Sequence, residues 1–261
     1  MLVGWILDQL VWVTRGHAHN DYAHKRPLRE ALELGYRSIE VDVFLVNGEI
    51  LVGHDRQDLV TTRTLDGLYL APLYREWMRK SPLVPSGTPE LTLLIDIKAE
   101  GTRVWDALQP LLRQYAAMLT TYKDGTVRQG AVRIVLSGDR PVSALRDLDP
   151  RSAFIDGRLV DLELNTSPSL VPLVSAPYRE TLGTSSATLD RTSKEKLRSL
   201  VRTAHKQKRR IRFWGNPDTK QGWSTLYDSG VDLVNTDNLV GLRDFLAEQR
   251  PNRATSLFEW P

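Results

Sequence analysis

The chain has 261 residues, 41% hydrophobic and 26% charged, with 35 basic side chains, 32 acidic ones and no cysteine. That balance is ordinary for a soluble globular protein, and the length suits one large α/β barrel or two smaller domains with a core that needs no covalent staples. It excludes disulfides, thiolate zinc sites and cysteine nucleophiles, and no apolar run reaches the length of a membrane-spanning helix.

Residues 1–13 are apolar but are interrupted by Asp8 and Gln9, and they lack a basic start and a small-residue cleavage site. They make a poor signal peptide. The expected compartment is the cytoplasm, with export if the N-terminus is truncated or misassigned. Residues 10–13 read as a short buried strand running into Arg15, Gly16 and His17, with Asn20 and Asp21 in the loop beyond. Pro27, then Leu28, Ala31 and Leu32, then Gly35 read as a helix, with proline in the first turn and glycine closing the end. Residues 38–44 form the next strand. By its period of two, Ile39, Val41 and Val43 share one face and Glu40 and Asp42 the other. Asn47-Gly48 is a hairpin turn, and residues 49–52 return from it to Gly53, His54 and Asp55.

Residues 56–90 form a long connection, in which Thr64 caps a short helix through Leu73 and Trp77 packs, before a loop marked by Pro82, Pro85, Gly87 and Pro89. Residues 91–97 are a near-continuous apolar strand, as expected when both faces are covered, and 102–120 an amphipathic helix. Strands follow at 133–136, 153–155, 172–175, 211–214 and 231–235, with helices at 142–148, 193–207, 218–229 and 239–249. The basic run Lys206, Lys208, Arg209, Arg210 and Arg212 reads as the solvated end of a helix. A nucleic-acid surface would need a wider basic face with interleaved aromatics, so no nucleic-acid partner is expected. In the tail, Phe258 and Trp260 are expected to cover a barrel end. About eight strands alternating with helices predict an α/β fold, a single (β/α)₈ TIM barrel, with residues 1–261 as one domain.

In such a barrel, active sites lie where strands end and loops begin. The polar residues at those ends are His17, Glu40, Asp42, Asp96, Lys98, Ser137, Asp156, Ser175, Trp214 and Asn235. Glu40 and Asp42 both point inward, roughly 6 to 7 Å apart at the backbone. Asp96 and Lys98 repeat the spacing. Two inward carboxylates repel unless a cation lies between them. A divalent metal with oxygen ligands, Mg²⁺ or Ca²⁺, is the usual answer, and a buried ion-pair network with Lys98 and an arginine is the alternative. His17 and His54 suit an acid–base couple, and Lys98 adds a fixed positive charge for an anionic substrate. Metal, lysine and histidines together suit a phosphate ester. His17-Ala18-His19 also suggests a histidine-ligated metal site of the amidohydrolase kind. That site needs more histidines on later strands, and the later ones here are His54 and His205, the latter on a helix.

These residues resemble the phospholipase-C-like phosphodiesterase superfamily, which includes glycerophosphodiester phosphodiesterases, spider-type sphingomyelinases D and the altered-inheritance-of-mitochondria group. The shared pattern is His17, the helix, Glu40-Val41-Asp42, His54-Asp55 after a hairpin, Asp96-Ile97-Lys98, and a closing run of Gly230, Asp232, Thr236 and Asp237. After the first histidine, glycerophosphodiesterases read His-Arg-Gly, whereas this chain reads His17-Ala18-His19-Asn20-Asp21-Tyr22, most like the altered-inheritance group. The missing arginine removes a phosphate contact, for which Asn20, His19 and Arg56 are candidate substitutes. The resemblance implies one divalent cation on Glu40, Asp42 and Asp96, His17 and His54 as general base and acid, Lys98 on a phosphate oxygen, and Trp214 and Asn20 lining the site.

The function expected is a metal-dependent phosphoric diester hydrolase acting on a glycerophosphodiester or (lyso)phospholipid-type substrate. The alternative is a catalytically silent barrel that binds a phosphorylated ligand or a protein partner. The partner expected is a small phosphodiester or phospholipid, with membrane contact at most peripheral because seven tryptophans come without an amphipathic anchor.

Overall fold

The computed structural model describes residues 12–86 and 89–249. The N-terminal apolar stretch, Gly87, and the tail with Phe258 and Trp260 lie outside the described residues.

Parallel strands β1 (Gly16–Ala18), β2 (Ser38–Val46), β4 (Leu91–Ile97), β7 (Val132–Gly138), β8 (Ala153–Gly157), β9 (Leu173–Pro177), β10 (Arg210–Trp214) and β11 (Leu233–Thr236) form a closed eight-stranded barrel. The ring closes through β1, which aligns Gly16, His17 and Ala18 with Val234, Asn235 and Thr236 on one side and Ala18 with Ile39 on the other. β3 (Glu49–Val52) folds back antiparallel on β2 outside the ring. The Asn47-Gly48 turn between them has φ of 50° and 85°, the left-handed pair that a two-residue hairpin requires.

The helices lie outside the barrel: α1 (Arg29–Glu33), α2 (Ala71–Met78), α3 (Gly101–Gln114), α4 (Val142–Arg146), α5 (Leu159–Glu163), α6 (Tyr178–Leu182), α7 (Arg191–Lys206), α8 (Lys220–Asp228) and α9 (Leu239–Glu248). They bury apolar stripes such as Val104, Leu108 and Leu112 against the outward faces of the strands, among them Ile39, Val41 and Val43. Inside the barrel a separate apolar plug is built from Leu94, Val135, Phe154, Leu173 and Leu233.

Several local expectations shift. Residues 10 and 11 of the expected first strand lie outside the described residues; among the described ones the first strand is Gly16–Ala18, and Val13 makes an isolated bridge to Tyr36. His17 therefore lies within β1 rather than beyond it. The Thr64 hydroxyl accepts from Gly67 N at 3.0 Å, but the helix it starts runs on through a π turn to Met78. An additional hairpin, β5 (Thr121–Lys123) and β6 (Thr126–Arg128), turns at Asp124-Gly125 with φ of 51° and 76°. That dipeptide is the same hairpin signal as Asn47-Gly48.

Gly138 closes β7 at φ 68°, and a Cβ there would collide with the carbonyl of Ile97 and with Asp96 Oδ1. Gly138→Ala should cost roughly 1–3 kcal/mol in chemical denaturation, because a non-glycine residue is strained in this region and the collision adds to it. Unchanged stability would refute this reading of the strand end.

Candidate active site

The plug and the site are consecutive layers of the same strands. Two residues beyond Leu94, Val135, Phe154, Leu173 and Leu233 stand Asp96, Ser137, Asp156, Ser175 and Asn235. Side chains two apart on a strand point to the same side. A polar layer therefore sits directly above a dry floor, at the C-terminal end of the barrel, joined there by His17, Glu40, Asp42 and Arg212.

One network surrounds His17, which is fully buried. Its Nδ1 lies 2.7 Å from Ser38 Oγ and its Nε2 2.7 Å from Glu40 Oε2. The Arg212 guanidinium donates to the same Glu40 oxygen, while its Nη1 is 2.5 Å from His17 Nε2. A guanidinium only donates, so the two contacts of Nε2 require different tautomers: Nε2–H for Glu40, and Nδ1–H, donated to Ser38, when Nε2 accepts from Arg212. Burial, with the Arg212 charge, lowers the His17 pKa to about 4 against the opposing pull of Glu40, so the ring is neutral near pH 7. Glu40 is held well below the usual carboxylate range: burial opposes this, but the charge of Arg212 and the bond to His17 outweigh it. Arg212 Nε donates to Ser175 Oγ at 3.0 Å, and its Nη2 is 3.8 Å from Asp156 Oδ2.

The second network centres on Asp42. Its Oδ2 accepts from Tyr22 OH at 2.7 Å, His54 Nδ1 at 2.9 Å and Lys98 Nζ at 2.7 Å. Lys98 also bonds Asp96 Oδ2 at 2.7 Å. Burial raises the Asp42 pKa, with Lys98 opposing. Burial alone would lower the Lys98 pKa, but the two carboxylates push it up. His54 is 60% exposed, so with Nδ1 on Asp42 its Nε2 is the nitrogen free for exchange.

At the rim, His19 Nδ1 lies 2.8 Å from Asp237 Oδ1, and Asn20 Oδ1 lies 2.9 Å from Tyr22 OH. Asn20, Tyr22, His54, Asp58 and Arg63 line a cavity of about 550 Å³ beside the carboxylates. Trp214 is 43% exposed at the end of β10, across the ring from β4. The structure thus gathers His17, Glu40, Asp42, Asp96, Lys98, His54 and Asn20, and sets Trp214 on the opposite rim.

Ligand atoms of Glu40, Asp42 and Asp96 lie within 4.8 Å of one another. Among the described residues, Asp42 Oδ1 is buried with no hydrogen-bond partner. An orphaned buried carboxylate oxygen is costly, and an all-oxygen donor set fits a hard divalent cation. The residues therefore fit a metal, although the alternative ion-pair network, Lys98 with Asp42 and Asp96 and Arg212 with Glu40, is present as well.

Arg212 and Tyr22 are the site residues that sequence reasoning passed over. The basic run is a solvated helix end only at its start, where Lys206 closes α7 and Lys206 and Lys208 are exposed; Arg209 is fully buried, and Arg212 lies inside the barrel at 3% exposure. The available signal was the alternation Arg210, Arg212, Trp214, which places all three on one side of a strand. Tyr22 follows the Asn20-Asp21 loop, whose Asp21 carboxylate accepts from Leu28 N at 2.5 Å and Tyr69 OH at 2.8 Å and so fixes the loop.

A (β/α)₈ barrel with two carboxylate strands, a lysine and paired histidines at its C-terminal mouth defines a phosphodiesterase-like barrel as its structural class. The chain matches the AIM6-like phosphodiesterase domain over residues 7–156, and it belongs to that family. It is 31% identical to an altered inheritance of mitochondria protein 6 homolog of Arthroderma benhamiae, across 89% of this chain and 86% of that one. It is 30% identical to altered inheritance of mitochondria protein 6 of Eremothecium gossypii, across 89% and 69%. Among solved structures, a calcium-dependent phosphoinositol-specific phospholipase C from Pseudomonas sp. superposes with a TM-score of 0.56 at 14% identity, covering 89% of this chain and 93% of that one. A glycerophosphodiester phosphodiesterase from Parabacteroides distasonis gives 0.53 at 14% identity, covering 91% and 96%. At that identity the likeness is one of fold.

For His19, burial lowers the pKa but the bond to Asp237 outweighs it, so the net shift is upward from 6.5. A raised folded-state pKa contributes stability that is fully present below 6.5 and is lost as pH rises through the folded value. An NMR titration should find His19 above 6.5 and should find it lowered in Asp237→Asn. An identical titration in the two proteins would remove Asp237 as the cause.

Proposed function

We propose that the chain is a metal-dependent phosphoric diester hydrolase for a glycerophosphodiester or (lyso)phospholipid-type substrate. The observation that carries the reading is Asp42, whose one oxygen gathers Tyr22, His54 and Lys98 while the other lies buried and unpartnered beside Glu40 and Asp96. A bound Mg²⁺ or Ca²⁺ would be held by Glu40, Asp42 and Asp96 and would supply Lewis-acid neutralisation of the nonbridging oxygens.

The residues of the chain do the rest. Lys98 presents a fixed positive charge to a phosphate oxygen. His17 is neutral, and in the tautomer with Nδ1–H on Ser38 its Nε2, once the bond from Arg212 Nη1 is given up, accepts a proton from the attacking oxygen, which is a water or a neighbouring substrate hydroxyl. Glu40 at 2.7 Å stabilises the imidazolium that forms. His54, with its Nδ1–H held by Asp42, acts from the imidazolium form: it delivers the Nε2 proton to the leaving oxygen beside the cavity and is left as the neutral Nδ1–H tautomer. Asn20 and Trp214 line the ligand's path. Attack by a neighbouring hydroxyl gives a cyclic phosphate first, and attack by water gives the monoester directly. The proposed partner is a small phosphodiester or phospholipid, with no nucleic acid and at most peripheral membrane contact. Among the described residues no helix is long and apolar enough to cross a membrane.

A second reading, a silent barrel that binds a phosphorylated ligand, is favoured by the ion pairs that already engage all three carboxylates. A panel of glycerophosphodiesters, lysophospholipids, sphingomyelin and inositol phospholipids separates the two. Turnover should vanish with EDTA, return with Mg²⁺ or Ca²⁺, and fall about 10²–10⁴-fold in His54→Ala with thermal unfolding unchanged. Activity that survives both treatments sinks the hydrolase assignment. Metal titration followed by calorimetry should show one site in the wild type and none in Asp42→Asn. Titration without turnover on any substrate supports the silent barrel.

A further inference from the structure

The mouth of the barrel is electrically divided. β2 and β4 carry Glu40, Asp42 and Asp96. The adjoining ends of β7 and β8 carry two arginines that the proposed reaction does not use, Arg140 and Arg158. Both guanidiniums reach the same backbone oxygen, Asp156 O, through Nη1 at 2.5 and 3.2 Å, so they are neighbours. Arg158 turns inward, with its Nη1 3.1 Å from Asp156 Oδ2 and its Nη2 3.5 Å from Ser137 Oγ in the polar layer.

The charge of the pair is only partly answered locally: the Asp161 carboxylate acts on Arg140 from nearby and accepts from Arg158 N at 2.7 Å, but it bonds neither guanidinium. Of the two arginines, the carboxylate of Asp156 pairs with Arg158 alone. It also accepts from Ser137 Oγ and Ser175 Oγ, each at 2.7 Å, and stands 3.8 Å from Arg212. Among the described residues no carboxylate forms a salt bridge with Arg140, whose one side-chain bond is to the carbonyl of Asp156. Burial, and then the nearby Arg158 charge, lower the Arg140 pKa. Two adjacent, part-buried guanidiniums with one carboxylate bonded to the pair leave planar donors available to an anion, and phosphate is the group whose geometry they match.

We propose that Arg140 and Arg158 form a second anion subsite, which binds a phosphomonoester group carried by the substrate in addition to its scissile diester. The inference rests on the phosphodiesterase reading and extends it to substrate class. The subsite adjoins β4, so it flanks Lys98 on the side away from the cavity beside His54. A substrate would then span the mouth, with the diester at Lys98 and the carboxylates, one alcohol in the cavity, and the phosphorylated alcohol on the arginine pair.

Equilibrium binding separates this from catalysis. Glycerophosphoglycerol, glycerophosphoglycerol phosphate and glycerol phosphate are titrated calorimetrically into the wild-type chain with Mg²⁺ or Ca²⁺ present. The doubly charged-group probe should bind about tenfold more tightly than either of the others, as expected for charge-assisted hydrogen bonds at one added group. The advantage over glycerophosphoglycerol should collapse to about unity in Arg140→Gln, persist in part in Arg140→Lys, and survive in Arg191→Gln, which removes an exposed arginine paired with Glu195. Arg158→Gln also strips bonds from two carbonyls, so it is interpreted only if its near-ultraviolet circular dichroism matches wild type, and Arg140 carries the decision. Equal affinity of the two diester probes, no binding of either, an advantage that survives Arg140→Gln, or glycerol phosphate binding as tightly as the doubly phosphorylated probe would each overturn the subsite. Absence of turnover with the binding ratio intact would count against the hydrolase reading alone.

Discussion

The Asp42 carboxylate is the constraint from which the site is built. Three donors from three separate segments converge on one of its oxygens: the phenol of Tyr22 after β1, the imidazole of His54 after the β2–β3 hairpin, and the ammonium of Lys98 at the end of β4. The shared acceptor fixes the phenol, selects the histidine tautomer and holds the lysine inward at the same time. Removing it would leave a part-buried ammonium with Asp96 as its remaining acidic partner, and truncating a buried charged partner costs far more than an exposed pair is worth.

The barrel makes that convergence affordable by keeping apolar side chains and charge in separate layers. Leu94, Val135, Phe154, Leu173 and Leu233 form a dry floor, and the next inward position on each strand is polar. Because the period of a strand is two, one residue of slip would turn Asp96 into the helix layer and Ile95 into the mouth. The register β4 keeps with both neighbours, Asp42 against Asp96 and Asp96 against Ser137, therefore matters to the chemistry as much as to the fold. Gly138 closes that arrangement, at the point where a side chain would strike Asp96.

What the sequence made legible follows from short-range rules. The alternation within residues 38–44 separated Glu40 and Asp42 from their apolar neighbours, Asn47-Gly48 marked the hairpin that delivers His54, and the near-continuous run 91–97 marked a strand covered on both faces. Arg212 was hidden because its value depends on residues 172 positions away: only ring closure brings β10 to Glu40. Read locally, five basic residues in seven positions resemble a helix end. His17 was placed in the right neighbourhood but in too open a setting, since nothing local to residues 16–18 says that β11 and Arg212 will bury it. The β5–β6 hairpin was passed over although Asp124-Gly125 carries the same turn chemistry as the first one.

The departure after the first histidine takes a different meaning from the barrel. Ala18 is fully buried and packs in the outer core, because the residue next to an inward-pointing His17 must point the other way. An arginine at that position would lie under the helices, away from the phosphate. The candidate replacements are committed elsewhere: His19 to Asp237, Asn20 to Tyr22, and Arg56 to Glu100 at 3.2 Å over the ring of Phe44. The cations that do meet the carboxylates are Lys98 on β4 and Arg212 on β10, on opposite sides of the ring. The positive charge that meets these carboxylates thus comes from β10 and the end of β4 rather than from the loop after β1. Two such cations among Glu40, Asp42 and Asp96 still leave one negative charge over, which is the electrostatic reason a divalent ion would be drawn to these three carboxylates.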